Sequence, residues 1–164
     1  QLVELGSGSS VKTRVLLNHL DAPAAYVPID ISRDHLLASA RGLAAAYPHV
    51  EVMPVCADYG RPITLPEPVQ RVHRRVLYFP GSTIGNFEPA DAAAFLERRA
   101  TLAGRGGGLL IGVDLRKSPA VLLPAYDDAA GVTAAFNGNA LVRINRELGG
   151  DFRLGRFLHR AIWN

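Results

Sequence analysis

Cysteine is almost absent from this chain: Cys56 stands alone, so an intrachain disulfide and any cysteine-based metal cluster are excluded, and a reducing cytosol suits the composition. Histidine is present five times (His19, His35, His49, His73, His159) but never in an H-x-x-x-H or H-E-x-x-H spacing, so no metal site is expected. No apolar run reaches 18 residues and no signal peptide is visible, which argues against a membrane role and for a cytoplasmic protein. Neither sign of charge dominates, with 18 Lys and Arg against 15 Asp and Glu. The net charge is only +3, and the one basic cluster, Arg71 to Arg75, reads as a solvated loop rather than a nucleic-acid patch. Repeats and low-complexity segments are missing. What remains is 164 residues, 48% hydrophobic and 20% charged, one globular domain's worth and enough to bury a core. The chain opens on Gln1 rather than Met and stops at Asn164 without a polar tail, so it is expected to be a piece of a longer protein.

Strand and helix signals alternate, which predicts an α/β fold with a parallel sheet flanked by helices. Strands are expected at Leu2–Leu5, Ala25–Ile31, Val50–Cys56, Val72–Phe79 and Gly108–Leu115, the last apolar on both faces as a central strand should be. The first helix should be capped by Ser9 or Ser10 and run through Leu20, burying Val15, Leu16 and Leu20. A second follows Ser32 with Leu36, Leu37, Ala40, Leu43 and Ala44 at helical spacing, and a third covers Pro89–Leu102. Arg61–Gln70 carries too many prolines to be anything but a loop. After Lys117 the alternation stops, and Val121–Tyr126 and Val132–Leu148 read as helices of a substrate-facing lobe. Phe152–Trp163 fits strand or helix equally. The expected division is 1–116 for the cofactor-binding core and 117–164 for the start of that lobe.

The first strand runs straight into Gly6-Ser7-Gly8, a turn in which the glycines let backbone N–H groups approach a ligand. A P-loop or a dinucleotide fingerprint starting at Gly6 wants glycine at position 11, where Val11 stands. What survives is E-x-G-x-G, suited to S-adenosylmethionine (SAM), which has no pyrophosphate; an ordinary strand–turn–helix corner fits about as well. Ligands of open parallel sheets sit at the carboxyl ends of the strands. There the second strand offers Asp30 for two ribose hydroxyls, or as a cap of the next helix. The third offers Asp58 and Tyr59 as an adenine clamp, or as a plain turn. The fourth leads into Pro80-Gly81-Ser82-Thr83-Ile84-Gly85-Asn86, a loop with two hydroxyls and an amide, where Asn86 can both donate to and accept from an amino acid.

Five ordered blocks, L-V-E-L-G-S-G-S-S-V-K-T-R, Y-V-P-I-D-I-S, F-P-G-S-T-I-G-N-F, L-L-I-G-V-D-L-R-K and Y-D-D-A-A-G-V-T-A-A-F-N-G-N-A-L-V-R-I-N-R-E-L, together resemble the histidine-specific SAM-dependent methyltransferase family. The resemblance covers essentially the whole chain and implies a Rossmann-like methyltransferase core. It implies that Gly6, Lys12, Asp30, Asp58 and Tyr59 hold SAM with Gly81 close by. It further implies that Asn86 and Tyr126 hold an amino acid by its amine and carboxylate, with Thr83 near them. The chemistry implied is in-line transfer of the sulfonium methyl to a neutral α-amine, without metal or covalent nucleophile, the enzyme contributing mainly by positioning. Tyr126 is expected to accept a hydrogen bond from that amine. Histidine, trimethylated to hercynine in ergothioneine biosynthesis, is the expected substrate. A tryptophan derivative or another amine is the alternative, and so is a SAM-fold module without turnover. The expected partner is a small-molecule amino-acid substrate, with no nucleic acid and no membrane, and the protein is expected to be a monomer. A nicotinamide-dependent oxidoreductase would want glycine at 11 and a catalytic Tyr/Lys or His near the fourth strand.

Overall fold

The computed structural model describes residues 1–163. The chain forms two compact units, Gln1–Asp114 and Leu115–Asn164. The first is an α/β unit: β1 (Leu2–Leu5), α1 (Val11–Leu17), β2 (Ala25–Asp30), α2 (Arg33–Ala46), β3 (Glu51–Val52), β4 (Val55–Cys56), β5 (Val76–Phe79), α3 (Pro89–Ala103) and β6 (Gly108–Ile111). All strand pairs are parallel, in the order β3-β2-β1-β5-β6, with β4 also pairing with β2. Register is fixed by pairs such as Leu5 with Ile29 and Leu2 with Val76.

Alternation along β1 assigns its side chains to two faces. Val3 and Leu5 join Val27, Ile29, Leu77, Phe79 and Phe95 in one core, covered by α3. Leu2 joins Tyr26, Leu17, Leu43 and Val50 in the other, covered by α1 and α2. Glu4 falls on this second face, directly under α1. The chain leaves β1 toward β2 and β3 and later returns on β1's other side as β5, so β1 and β5 flank the topological switch point, where such sheets bind ligands.

Several elements differ from their sequence expectation. The third strand is interrupted at Met53-Pro54, because Pro54 has no N–H to give to the ladder; the two halves pair separately with β2. The fourth strand begins at Val76, after the Arg71–Arg75 cluster. α1 ends at Leu17 and buries Thr13 and Leu17, whereas Val15 and Leu20 are exposed. Ser10 occupies its N-terminal boundary in the left-handed region, at φ 53°, and makes no capping bond; its hydroxyl turns to Tyr26 instead. Ser32 likewise makes no side-chain cap. β6 ends at Ile111 and pairs with β5 alone among the described residues, so it is an edge rather than a central strand, with Leu109 and Leu110 exposed.

The second unit holds α4 (Pro119–Tyr126), α5 (Val132–Leu148) and a 3-10 turn at Leu154–Arg156; the rest of Phe152–Trp163 is neither strand nor helix. Asp128 caps α5 by accepting from the N–H groups of Val132 (2.9 Å) and Thr133 (2.8 Å). These bonds hold its carboxyl down at about 2. At the other end Gly149 adopts the left-handed conformation (φ 68°) and the Gly150 N–H returns to the Ile144 carbonyl, a glycine stop.

Candidate active site

A cleft of about 360 Å³ opens at the switch point, lined by Glu4, the Gly6–Lys12 turn and Pro80, Gly81 and Thr83. Its two walls are built alike. Gly6, Gly8 and Ser10 have positive φ in the loop after β1, as do Gly81 and Ser82 in the loop after β5. The two serines pay roughly 1–2 kcal/mol each for that conformation, and each hydroxyl is engaged: Ser10 with Tyr26 at 3.1 Å, Ser82 accepting the Asp114 N–H at 2.9 Å. A side chain on Gly8 would meet no atom within 4 Å, so its φ of 49°, and not crowding, calls for glycine. Gly6 has both reasons, since a Cβ there would lie 3.2 Å from the Tyr59 ring.

Under this cradle lies a polar network that the apolar pattern of the first strand hides. Glu4 is buried, and its carboxylate accepts from the hydroxyls of Thr13 and Tyr26. Burial pushes the Glu4 carboxyl above its ordinary value, with the two hydroxyl bonds and the Lys12 charge opposing the rise. Burial, then the facing Glu4 charge, pushes the Tyr26 phenol up in turn. Ser7 is also buried, and its hydroxyl has no hydrogen-bond partner although the residue lines the cleft. A buried hydroxyl without a partner costs about 1–3 kcal/mol, which a ligand in the cleft can relieve. The lone charge inside L-V-E-L was the available sign of Glu4; nothing in the sequence marks Ser7 beyond its place between two glycines.

The predicted site residues fall into three groups. Gly6, Lys12, Gly81 and Thr83 are brought together in the cleft, with the Lys12 ammonium 3.7 Å from where a Gly81 side chain would begin. Asp30 adjoins it: one oxygen accepts the Gly8 N–H (3.1 Å) and the other the Ser32 N–H (2.9 Å). Thus Asp30 both pins the glycine turn and steadies the start of α2, with two further lone-pair directions in reserve. Tyr59 lies edge-on to Phe79 and Phe95, ring centres 5.7 and 6.4 Å apart, with its ring against Gly6. Burial raises its phenol pKa, helped by Asp30 and Asp58. Asp58 itself closes a turn onto the Gly60 N–H at 2.8 Å.

Asn86 ends a 3-10 turn, Thr83–Asn86, and is exposed outside the cleft lining. Tyr126 belongs to the second unit, where it is the last residue of α4 and lines a different cavity of about 460 Å³. The described residues contain no group of three or more His, Cys, Asp or Glu side chains that could hold a metal ion. None of their helices is long and apolar enough to cross a membrane.

Comparison with known proteins adds relatives to this geometry. The model of a family described as histidine-specific, SAM-dependent methyltransferases matches residues 1–164. A histidine N-alpha-methyltransferase of Mycolicibacterium smegmatis is 46% identical over 99% of this chain and 51% of its own length. One of the same name from Mycobacterium tuberculosis is 45% identical over the same shares. Ergothioneine biosynthesis protein 1 of Neurospora crassa is 34% identical over 96% of this chain and 19% of its own length. The chain spans about half the length of the two mycobacterial relatives it matches.

Proposed function

The chain belongs to the family of histidine-specific, SAM-dependent methyltransferases, and on that premise we propose that it carries the cofactor site and part of the substrate site of an amino-acid N-methyltransferase. The substrate is L-histidine and the product its N-alpha-trimethylated form, hercynine, in ergothioneine biosynthesis. The names of the mycobacterial and Neurospora relatives support that choice.

The observation that carries the reading is the cleft between the β1 and β5 loops. It presents free backbone curvature at Gly6 and Gly8, an unpartnered Ser7 hydroxyl, a cation on Lys12 and an anion on Glu4. Opposite charges in one small cleft suit the zwitterionic amino-acid end of SAM: Lys12 faces its carboxylate, and Glu4 the ammonium. When bound, SAM supplies an electrophilic methyl on a sulfonium. The spare lone pairs of Asp30 accept the ribose hydroxyls, and Asp58 and Tyr59 take the adenine. Asn86 and Thr83, on the β5 loop, are assigned to the substrate amino acid; Tyr126 is assigned to it as well, its phenol oxygen accepting from the neutral amine. These residues orient the amine and supply most of what is needed, since a pre-activated methyl demands positioning above all. The protein acts as a monomer on a small molecule in the cytosol, a compartment its single Cys56 suits.

Calorimetry on the full-length protein tests the cofactor half. SAM binds and NAD does not, and Lys12→Ala and Asp30→Ala each weaken SAM by about tenfold or more, the loss of one charge-assisted contact. Unchanged SAM affinity in both variants would overturn the assignment. Methyl transfer to histidine, compared with tryptophan derivatives, tests the other half. Transfer to a tryptophan derivative alone replaces the substrate, and SAM binding without any transfer makes the protein a binding module.

A further inference from the structure

Tyr126 is a residue that the packing around its own side chain does not hold. It is 64% exposed, and it ends a helix of eight residues that contains Pro124. Pro124 has no N–H to return to the Ala120 carbonyl, and a helix this short is marginal by itself. The Tyr126 carbonyl is one of the last four of its helix, which have no partner inside it. Its orientation must therefore come from elsewhere in the unit.

We propose that His159 is a positioning residue for Tyr126, and through it for the substrate amine; this rests on the role given to Tyr126 above. After the 3-10 turn at Leu154–Arg156, the chain brings the His159 ring to the end of α4. Its Nε2 lies 2.7 Å from the Tyr126 carbonyl oxygen, and its Nδ1 lies 3.3 Å from the Asn137 side-chain nitrogen on α5. A carbonyl only accepts, so Nε2 carries the proton. Nδ1 then presents a lone pair to the Asn137 amide, which selects that tautomer of the neutral ring. Asn137, His159 and Tyr126 thus form a relay from the side of α5 to the last carbonyl of α4. All three line the same cavity of about 460 Å³ within the second unit, together with Thr133. Thr133 donates its N–H to Asp128, which lies in the segment between α4 and α5. Fixing the carbonyl of a helix-terminal residue fixes the peptide plane beside it, and with it the direction in which the tyrosine ring leaves the helix. A displacement of about 1 Å at a positioning group can cost catalysis up to a hundredfold.

The test is steady-state kinetics on the full-length enzyme, with SAM affinity measured separately by calorimetry. His159→Phe keeps a ring and removes both polar atoms; the KM for the amino acid should rise about three- to tenfold, the loss of one hydrogen bond, with SAM affinity unchanged. His159→Gln restores a donor toward the Tyr126 carbonyl and should recover most of that loss. In a cycle with Tyr126→Phe the two effects should not add, because they act on one contact. A raised KM in Tyr126→Phe with an unchanged KM in His159→Phe overturns the positioning role and leaves the role of Tyr126 standing. An unchanged KM in Tyr126→Phe overturns the role of Tyr126, and the positioning role with it. Failure of His159→Gln to recover, while His159→Phe folds and binds SAM normally, also overturns the proposal. Should His159→Phe not fold, Asn137→Ala carries the test: it releases the ring tautomer without touching the carbonyl bond, and an unchanged amino-acid KM then counts against the relay.

Discussion

Glu4, the one charge in its strand, shows how much a single residue can carry. In L-V-E-L it interrupts an apolar strand, and a buried carboxylate is costly unless it is hydrogen-bonded. The structure supplies Thr13 and Tyr26 as donors, yet burial still outweighs them and raises the carboxyl pKa. A raised folded pKa means that the native state holds the proton more tightly than the unfolded chain does. The contribution of Glu4 to stability is therefore complete below the ordinary carboxyl value of 4.5 and is lost as pH climbs through the raised one. Glu4→Gln, neutral at every pH and still able to accept both hydroxyls, should remove that decline. Its stability at pH 7 should stay within about 1 kcal/mol of the native protein. Urea unfolding between pH 4 and 8 measures this; an identical pH dependence in the variant would refute the account. Gly6, Lys12 and Gly81, candidates in the sequence, line one cleft; the glycines could be singled out because the positive φ of a tight turn leaves a local mark. Ser7 and Tyr26 could not, because a serine or a strand tyrosine looks ordinary until its burial and partners are known.

At the level of elements, the sequence is most reliable where a helix or strand carries its own signals. α2 follows the apolar spacing of Leu36, Ala40 and Leu43, and α5 runs from Val132 to its glycine stop. Caps were less legible. The serines expected to cap α1 and α2 make no capping bond, whereas Asp128, four residues before Val132, accepts two of the free N–H groups of α5. Its carboxyl, held at about 2, is charged in the native unit down to that pH and gives up its stabilising effect as pH falls from 3.8 toward 2. Asp128→Ala should speed amide exchange at Val132 and Thr133 and remove the acid-induced loss of helix in that range, with the rest of α5 unaffected. Unchanged exchange at those two amides would mean that the cap contributes nothing.

At the scale of the whole molecule, the first unit ends its sheet on β6, whose outer edge and exposed Leu109 and Leu110 have no strand beside them among the described residues. An open apolar edge invites pairing with other chains. Leu110→Lys should therefore raise the protein concentration at which this chain sediments as a monomer; no change in sedimentation would show that the edge is not sticky. The continuous apolar run G-L-L-I-G-V is what a strand buried on both faces would show, so pattern alone could not separate an edge from a centre. By itself the sequence determined the α/β class, the parallel alternation and the glycine turns, because hydrophobic period and the φ demands of glycine are local. Strand order, and with it the placing of the β1 and β5 loops on either side of one cleft, was decided only in three dimensions. So were the burial of Glu4, the orphaned Ser7 hydroxyl and the hold of His159 on Tyr126. Glu4 meets Thr13 and Tyr26 from 9 and 22 positions away, His159 meets Tyr126 from 33, and Gly6 and Gly81 line one cleft from 75 positions apart (81 − 6), and no local pattern records such meetings.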